Sequence, residues 1–344
     1  MDPMKKWKIK DKCIEDIMYS LGCEMEYEHA LHSWIFDPLD SIYDKYFDDE
    51  EIEELTEMTL PSSAGLSKFL DDINSYSTLE ELKEALDLTT YNRYSHFDFW
   101  WMKRTIEELL LLFDTNKMAK LVTEGSEADL VCRVWALFDP LFERYGFDCT
   151  RPEKPTVASE SNTNTYSISG TAKQRKYACS LPDLIVSKNG YEFACAEYGK
   201  EDKKDVNMKE VVEGTMKLPK ELKNMLVRQL SRLQKNEEEK MKQVKILGFL
   251  CSKLRMTLQV MDQPSGYVCR LLKFEEVKVP SSPDSFAKDI VKVFEVIWQA
   301  KELMAQTECV FTTVGRSTSA LQRKRKGKEL PPNVNNLKQY KQSM

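Results

Sequence analysis

Three carboxylates and one lysine occupy positions where ordinary surface charge is hard to place: Glu127, Asp183, Glu197 and Lys200. Glu127 lies four and seven residues before Val131 and Val134, so it extends an apolar stripe instead of facing water. Asp183 follows Pro182 at the start of an apolar strand, and Glu197 ends the run Phe193-Ala194-Cys195-Ala196. Carboxylates in such places are costly unless something cationic pairs with them. Two acids held together repel, and one keeps its proton unless a hard divalent cation sits between them. Mg²⁺, or Mn²⁺ in its place, suits an oxygen pair completed by waters.

Whether the acids converge depends on one hairpin. Leu181–Ser187 and Tyr191–Tyr198 read as strands joined through Lys188-Asn189-Gly190, and Asn-Gly between such runs is the strongest short-range hairpin signal. A two-residue loop pairs Lys188 with Tyr191 and hence Asp183 with Ala196, which sends Glu197 to the opposite face. A three-residue loop with Gly190 in a left-handed bulge pairs Asp183 with Cys195. Glu197 then shares Asp183's face within a diagonal reach of about 7–8 Å. The expectation is therefore the three-residue loop, the register that builds a site.

The elements that must position these groups follow from periodicity. Leu79, Leu82, Ala85 and Leu86 mark one amphipathic helix over 78–88, and Trp100, Ile106, Leu109, Leu110 and Phe113 another over 97–114. Residues 1–122 read as an acidic all-helical region. Helical spacing assigns Phe97, Phe99, Trp100 and Trp101 to core ahead of a partner-binding patch. Ser126 and Asp129 form a capping box that opens one long helix through Tyr145. A polar loop over 150–173 precedes the hairpin. A helix with Pro219 in its first turn follows, carrying Leu222, Met225, Leu226, Gln229 and Leu230 on one side. Strands are predicted at 244–251, 256–261 and 267–274, and a closing helix at 285–304. The domain reading is thus 1–122 helical, 123–305 α/β with its polar loop, and 306–344 a mobile basic tail.

Composition narrows the class. With 344 residues, 42% of them apolar and 31% charged, and only 12 Gly and 13 Pro, the chain is not collagen, coiled coil or wholly disordered. Nine cysteines without a CxxC pair read as reduced thiols, not a disulfide framework or zinc site. His29 and His32 read as an ordinary, partly buried pair. No apolar run approaches the roughly 20 residues of a bilayer span, and the start lacks a signal-like stretch, so an intracellular protein with no membrane partner is expected. Residues 1–60 carry 6 Lys and no Arg against 17 acids, whereas 171–260 carry 19 basic residues against 12 acids. Any contact with nucleic acid belongs to the second half.

The order of a helix with Glu127, a strand, Pro182-Asp183, a hairpin, Glu197-Tyr198-Gly199-Lys200, a helix and a strand resembles the PD-(D/E)XK nuclease-like superfamily. That is the fold of many restriction endonucleases and of nuclease-like modules in Crinkler-type effectors, and the chain is similar to uncharacterised fungal proteins of that kind. The resemblance covers about 126–275. It implies a restriction-endonuclease-like α/β fold, a mixed sheet flanked by helices, here preceded by the helical N-terminal region. It also implies one or two Mg²⁺ ions on Asp183 and Glu197, with Glu127 completing the metal site and Lys200 orienting or activating water. The family separates acid and lysine by one residue, whereas Glu197 and Lys200 are separated by two. By alternation Gly199 follows Glu197 inward, so Lys200 needs a bulge, or Lys176, Lys217 or Arg228 takes its place.

Ordinary roles remain open at this level: a first-turn acid for Glu127, a turn acid for Asp183, and a solvated strand end for Glu197 and Lys200. The leading expectation is a Mg²⁺-dependent phosphodiesterase on DNA or RNA. Lys173, Arg175, Lys176, Lys203 and Lys204 would meet phosphates beside the hairpin, with Lys220, Lys223, Arg228 and Arg232 on the next helix. The alternative is the same fold without turnover, binding nucleic acid or protein, its acidic N-terminal half recruiting a basic partner or covering the site. An adaptor with no nucleic-acid contact is a third reading. Arg323–Lys328 leans towards nuclear over cytoplasmic residence.

Overall fold

The computed structural model describes residues 1–151, 156, 181–199, 213–234 and 237–312. The first half opens with β1 (Lys8–Ile9), β2 (Lys12–Cys13), α1 (Ile14–Glu24) and β3 (Ile35–Phe36). The helices α2 (Asp49–Thr56), α3 (Ser67–Ser75), α4 (Leu79–Leu88), α5 (Phe97–Asp114) and α6 (Lys117–Thr123) follow. Next come α7 (Glu127–Arg133), a 3₁₀ turn at Trp135–Leu137, α8 (Asp139–Arg144) and β4 (Asp148–Thr150). The second half carries β5 (Leu184–Lys188), β6 (Tyr191–Gly199), a π turn (Glu213–Lys217) and α9 (Leu218–Leu230). It ends with α10 (Glu238–Gln243), β7 (Ile246–Ser252), β8 (Arg255–Asp262), β9 (Cys269–Lys273), β10 (Val277–Lys278) and α11 (Phe286–Thr312).

The mixed α/β class is as expected. Seven strands of the main sheet run in the order β3-β9-β8-β7-β6-β5-β4, with β10 on β8. β6 and β7 are parallel, so the chain must cross over between them, and α9 makes that crossing. One hydrophobic cluster joins residues of α3 to α8 to one face of the sheet and to α11. A second lies between the other face and α9. No described helix is long and apolar enough to cross a membrane.

Two expectations need correction. The N-terminal region is helical but not all-helical: Ile35 and Phe36 add a parallel edge strand to the sheet, pairing with Cys269 and Arg270. A two-residue strand is too short to leave an alternation signal. The long helix from Ser126 is broken. Its capping box forms as predicted, but Val134 leaves the helix at φ −123° and ψ −64°. Pro140 has no N–H for the carbonyl four residues back and its ring crowds that carbonyl, so it is accommodated in the first turn of a new helix, α8.

The hairpin also differs from its predicted form. Lys188 pairs with Tyr191 across a two-residue loop in which Asn189 and Gly190 have φ of 54° and 76°. Both central residues are left-handed, the backbone that matches strand twist and that Asn-Gly tolerates best. The extra residue sits in the strand instead: Ser187 pairs with Glu192 and Val186 with Ala194, leaving Phe193 unpaired. Phe193 and Ala194 consequently both enter the same hydrophobic cluster.

Gly190→Ala should therefore cost about 1–2 kcal/mol in urea unfolding, because a Cβ is strained at this φ. Gly65→Ala, with open space around its Cβ position, should stay within about 0.5 kcal/mol of wild type.

Candidate functional site

The strand bulge decides the geometry of the acids. Beyond it Leu184 pairs with Ala196, so Asp183 and Glu197 occupy the next opposed positions at the end of the ladder. A two-residue loop plus one looped-out residue gives the backbone the same parity as the expected three-residue loop. The Asp183 N–H donates to Ala196 O at 3.0 Å, and its Oδ2 accepts the Tyr198 N–H at 2.7 Å. The aspartate thus takes a backbone donor of β6 where β5 has run out, and this bond fixes its side chain.

Glu197 lies two residues beyond Cys195, whose side chain packs under α9. Its carboxylate is 1% exposed and is ion-paired with the Lys217 ammonium. Lys217 is placed by the π turn that precedes α9. That turn sits tightly on the sheet: a Cβ on Gly214 would come within 2.6 Å of Leu250 Cδ2, and Gly214 O accepts from Gln259 Nε2 at 3.3 Å. Extra residues of this kind in a helix recur where a side chain has to be aimed. The cation beside Glu197 is accordingly Lys217, one of the substitutes anticipated for Lys200. Lys200 itself lies outside the described residues, as do Lys173, Arg175, Lys176, Lys203 and Lys204.

Two further buried glutamates surround this pair. Glu221, fully buried on α9, is hydrogen-bonded to Thr156 Oγ1, and burial pushes its carboxyl up to about 7. Glu192 lies 3.8 Å from Arg228, and the backbone carbonyl of Glu192 accepts from Gln229 Nε2 at 2.9 Å. Between them the Cys195 thiol is pushed well above its ordinary range by burial and then by Glu221, Glu197 and Glu192. It stays protonated and is no ready nucleophile. Glu221 had a sequence signal: it stands three residues after Leu218 and four before Met225, on the apolar stripe of α9. Glu192 had none, because only the bulge turns it.

Glu127 stands in the first turn of α7, just after the Ser126 cap; the helix packs against β6, and Glu127 is half-buried. Among the described residues no three of His, Cys, Asp and Glu are grouped so as to hold a metal ion. The expected triad of Asp183, Glu197 and Glu127 is not assembled as one ligand set.

Most basic side chains of α9 and of the turn that follows it serve the fold. Lys220 pairs with Glu28, Lys223 donates to Ser33 O, and Arg232 donates to Gly190 O at 2.9 Å while lying over the Tyr191 ring. His29 and His32 close a 3₁₀ turn, and His29 meets Asp40 at 3.0 Å. Compared with known proteins, the chain matches no family model, no curated protein and no solved structure.

Glu221 gives the site a pH signature. Its folded pKa of about 7 lies above the ordinary 4.5 of the unfolded chain, so the folded state keeps a proton that the unfolded state releases. This stability is fully present below about pH 4.5 and is withdrawn as pH rises to about 7, by up to about 3 kcal/mol. Glu221→Gln should match wild type near pH 4.5 and exceed it above pH 7. Urea unfolding of both proteins at the two pH values checks this, and a parallel pH response of the two would contradict it.

Proposed function

We propose that the chain is a nuclease-type phosphodiesterase acting on DNA or RNA, built on Asp183, Glu197 and Lys217. The reading is carried by one observation: two acids at opposed positions at one end of a ladder, with an ammonium on one of them. It is also supported by the order of α7, β4, β5, β6, α9 and β7, which follows the order that carried the resemblance. Asp183 and Glu197 would hold Mg²⁺. When bound, such an ion supplies Lewis-acid polarisation of the scissile phosphate. The Tyr198 N–H keeps Asp183 in one rotamer, so the oxygen pair is organised before substrate arrives. Lys217 takes the part that the resemblance gives Lys200: it offsets the charge of Glu197 and supplies a fixed cation towards phosphate oxygens.

A specific observation favours the second reading, a nuclease-like module without turnover. Glu197 is only 1% exposed and paired with Lys217, and a buried ion pair of this kind can serve specificity of packing alone. Magnesium titrations with plasmid DNA and with RNA separate the two. Asp183→Asn and Glu197→Gln, with unchanged circular dichroism, should each lower cleavage by at least about 100-fold, and Lys217→Ala by about 10-fold or more. Salt-sensitive binding with no divalent-ion response, indifferent to all three changes, would leave the module.

A further inference from the structure

Far from these acids along β6, beyond the hairpin turn, the N-terminal end of α5 meets the end of α8 and the middle of α11 around a cleft of about 480 Å³. Tyr94, Phe97, Tyr145 and Trp298 line it, with His96 and Arg144 beside them. The volume falls in the range of small-ligand sites. Its floor is polar and fixed. Asp98 accepts from Tyr145 Oη at 3.0 Å, Trp298 Nε1 at 2.9 Å and Lys301 Nζ at 2.9 Å. Lys301 is 2% exposed and lies 4.3 Å from the Tyr145 ring centroid and 4.7 Å from that of Trp298. These bonds hold the rings in place and offset the aspartate's charge, whereas Tyr94, 79% exposed, stands free at the mouth.

The rim is cationic. Arg144 lies 5.6 Å from the Phe97 centroid, and Phe97 in turn is 5.4 Å from Trp100. Arg93 and Arg104 lie 5.3 and 5.6 Å from the Trp100 centroid. Among the described residues none of these three arginines makes an ion pair with a carboxylate; the nearby Glu107 is engaged by Lys103 at 2.7 Å. A guanidinium held beside a ring and away from carboxylates keeps N–H donors for an anion; Arg144 gives one of its donors to Tyr94 O at 3.4 Å.

We propose that this cleft and its arginine rim bind single-stranded nucleic acid, with a base against the aromatic walls and neighbouring phosphates on Arg93, Arg104 and Arg144. The exposed Tyr94 and the cleft-lining rings of Phe97, Tyr145 and Trp298, beside guanidiniums that have no carboxylate partner, are the combination that stacked bases and a phosphate backbone satisfy together. A duplex keeps its bases from such a cleft, and an acidic peptide would leave the rings unused. The surface lies in the half of the chain that the charge balance had set aside for other partners. It is independent of cleavage at Asp183 and Glu197.

Fluorescence anisotropy of the full chain in EDTA, with a labelled oligothymidylate of about a dozen nucleotides, tests the site without turnover. Wild type should bind the single strand at least about tenfold tighter than the corresponding duplex or a poly-glutamate peptide. Tyr94→Ala should weaken binding about tenfold, and Arg93→Ala with Arg144→Ala should weaken it further and lower the salt slope by about 1.4, at about 0.7 per single-strand phosphate contact. Arg144→Lys should restore only part of the loss. The assay in EDTA reads binding alone, so failure of the phosphodiesterase reading leaves this one standing. No single-strand binding at low salt, duplex or peptide bound equally well, or binding unchanged in the folded arginine variants would each overturn it.

Discussion

One unpaired residue in β6 sets the direction of everything at the candidate site. With Phe193 looped out, Leu184 meets Ala196 and the two acids come to opposed positions. Without it the pairing would slip by one and Glu197 would turn to the other face, since side chains alternate strictly along a strand. The same residue fills core space, because Phe193 packs edge-on against Phe147 at 5.3 Å. A packing preference in the apolar layer thus enforces the parity of the charged layer.

On the α9 side of the sheet three buried acids are handled in three ways. Glu197 is ion-paired with Lys217, Glu192 lies near Arg228, and burial raises the Glu221 carboxyl towards neutrality. An isolated carboxylate in this layer would be too costly to keep ionised, and the chain resolves each case with the means nearest to it. Lys217 and Arg228 both belong to the crossing between β6 and β7, so the topology that makes those strands parallel also delivers the cations.

The charge imbalance between the two halves is partly spent within the molecule. Glu28 meets Lys220, Asp37 meets Lys273 at 2.6 Å, and Arg270 holds Asp262 at 2.7 Å while its other nitrogen donates to Leu55 O at 2.9 Å. These contacts dock the acidic N-terminal segment on the sheet and α9. Among the described residues, Arg104 on α5 and Arg144 on α8 have no carboxylate partner and lie beside aromatic rings.

Local sequence determined the elements whose signals are local. The capping box at Ser126, the apolar stripes of α4, α5 and α9, and the Asn-Gly hairpin signal were all legible, because neighbours a few residues apart specify each of them. Asp183 and Glu197 were legible as misplaced charges, and Glu221 could have been read from its stripe. What only the tertiary structure decided was the position of the bulge, the edge strand β3, the reach of Lys217 and the cleft at the start of α5. Each of these depends on contacts between residues distant in the chain, whose free energy leaves no periodic trace in the order of the amino acids.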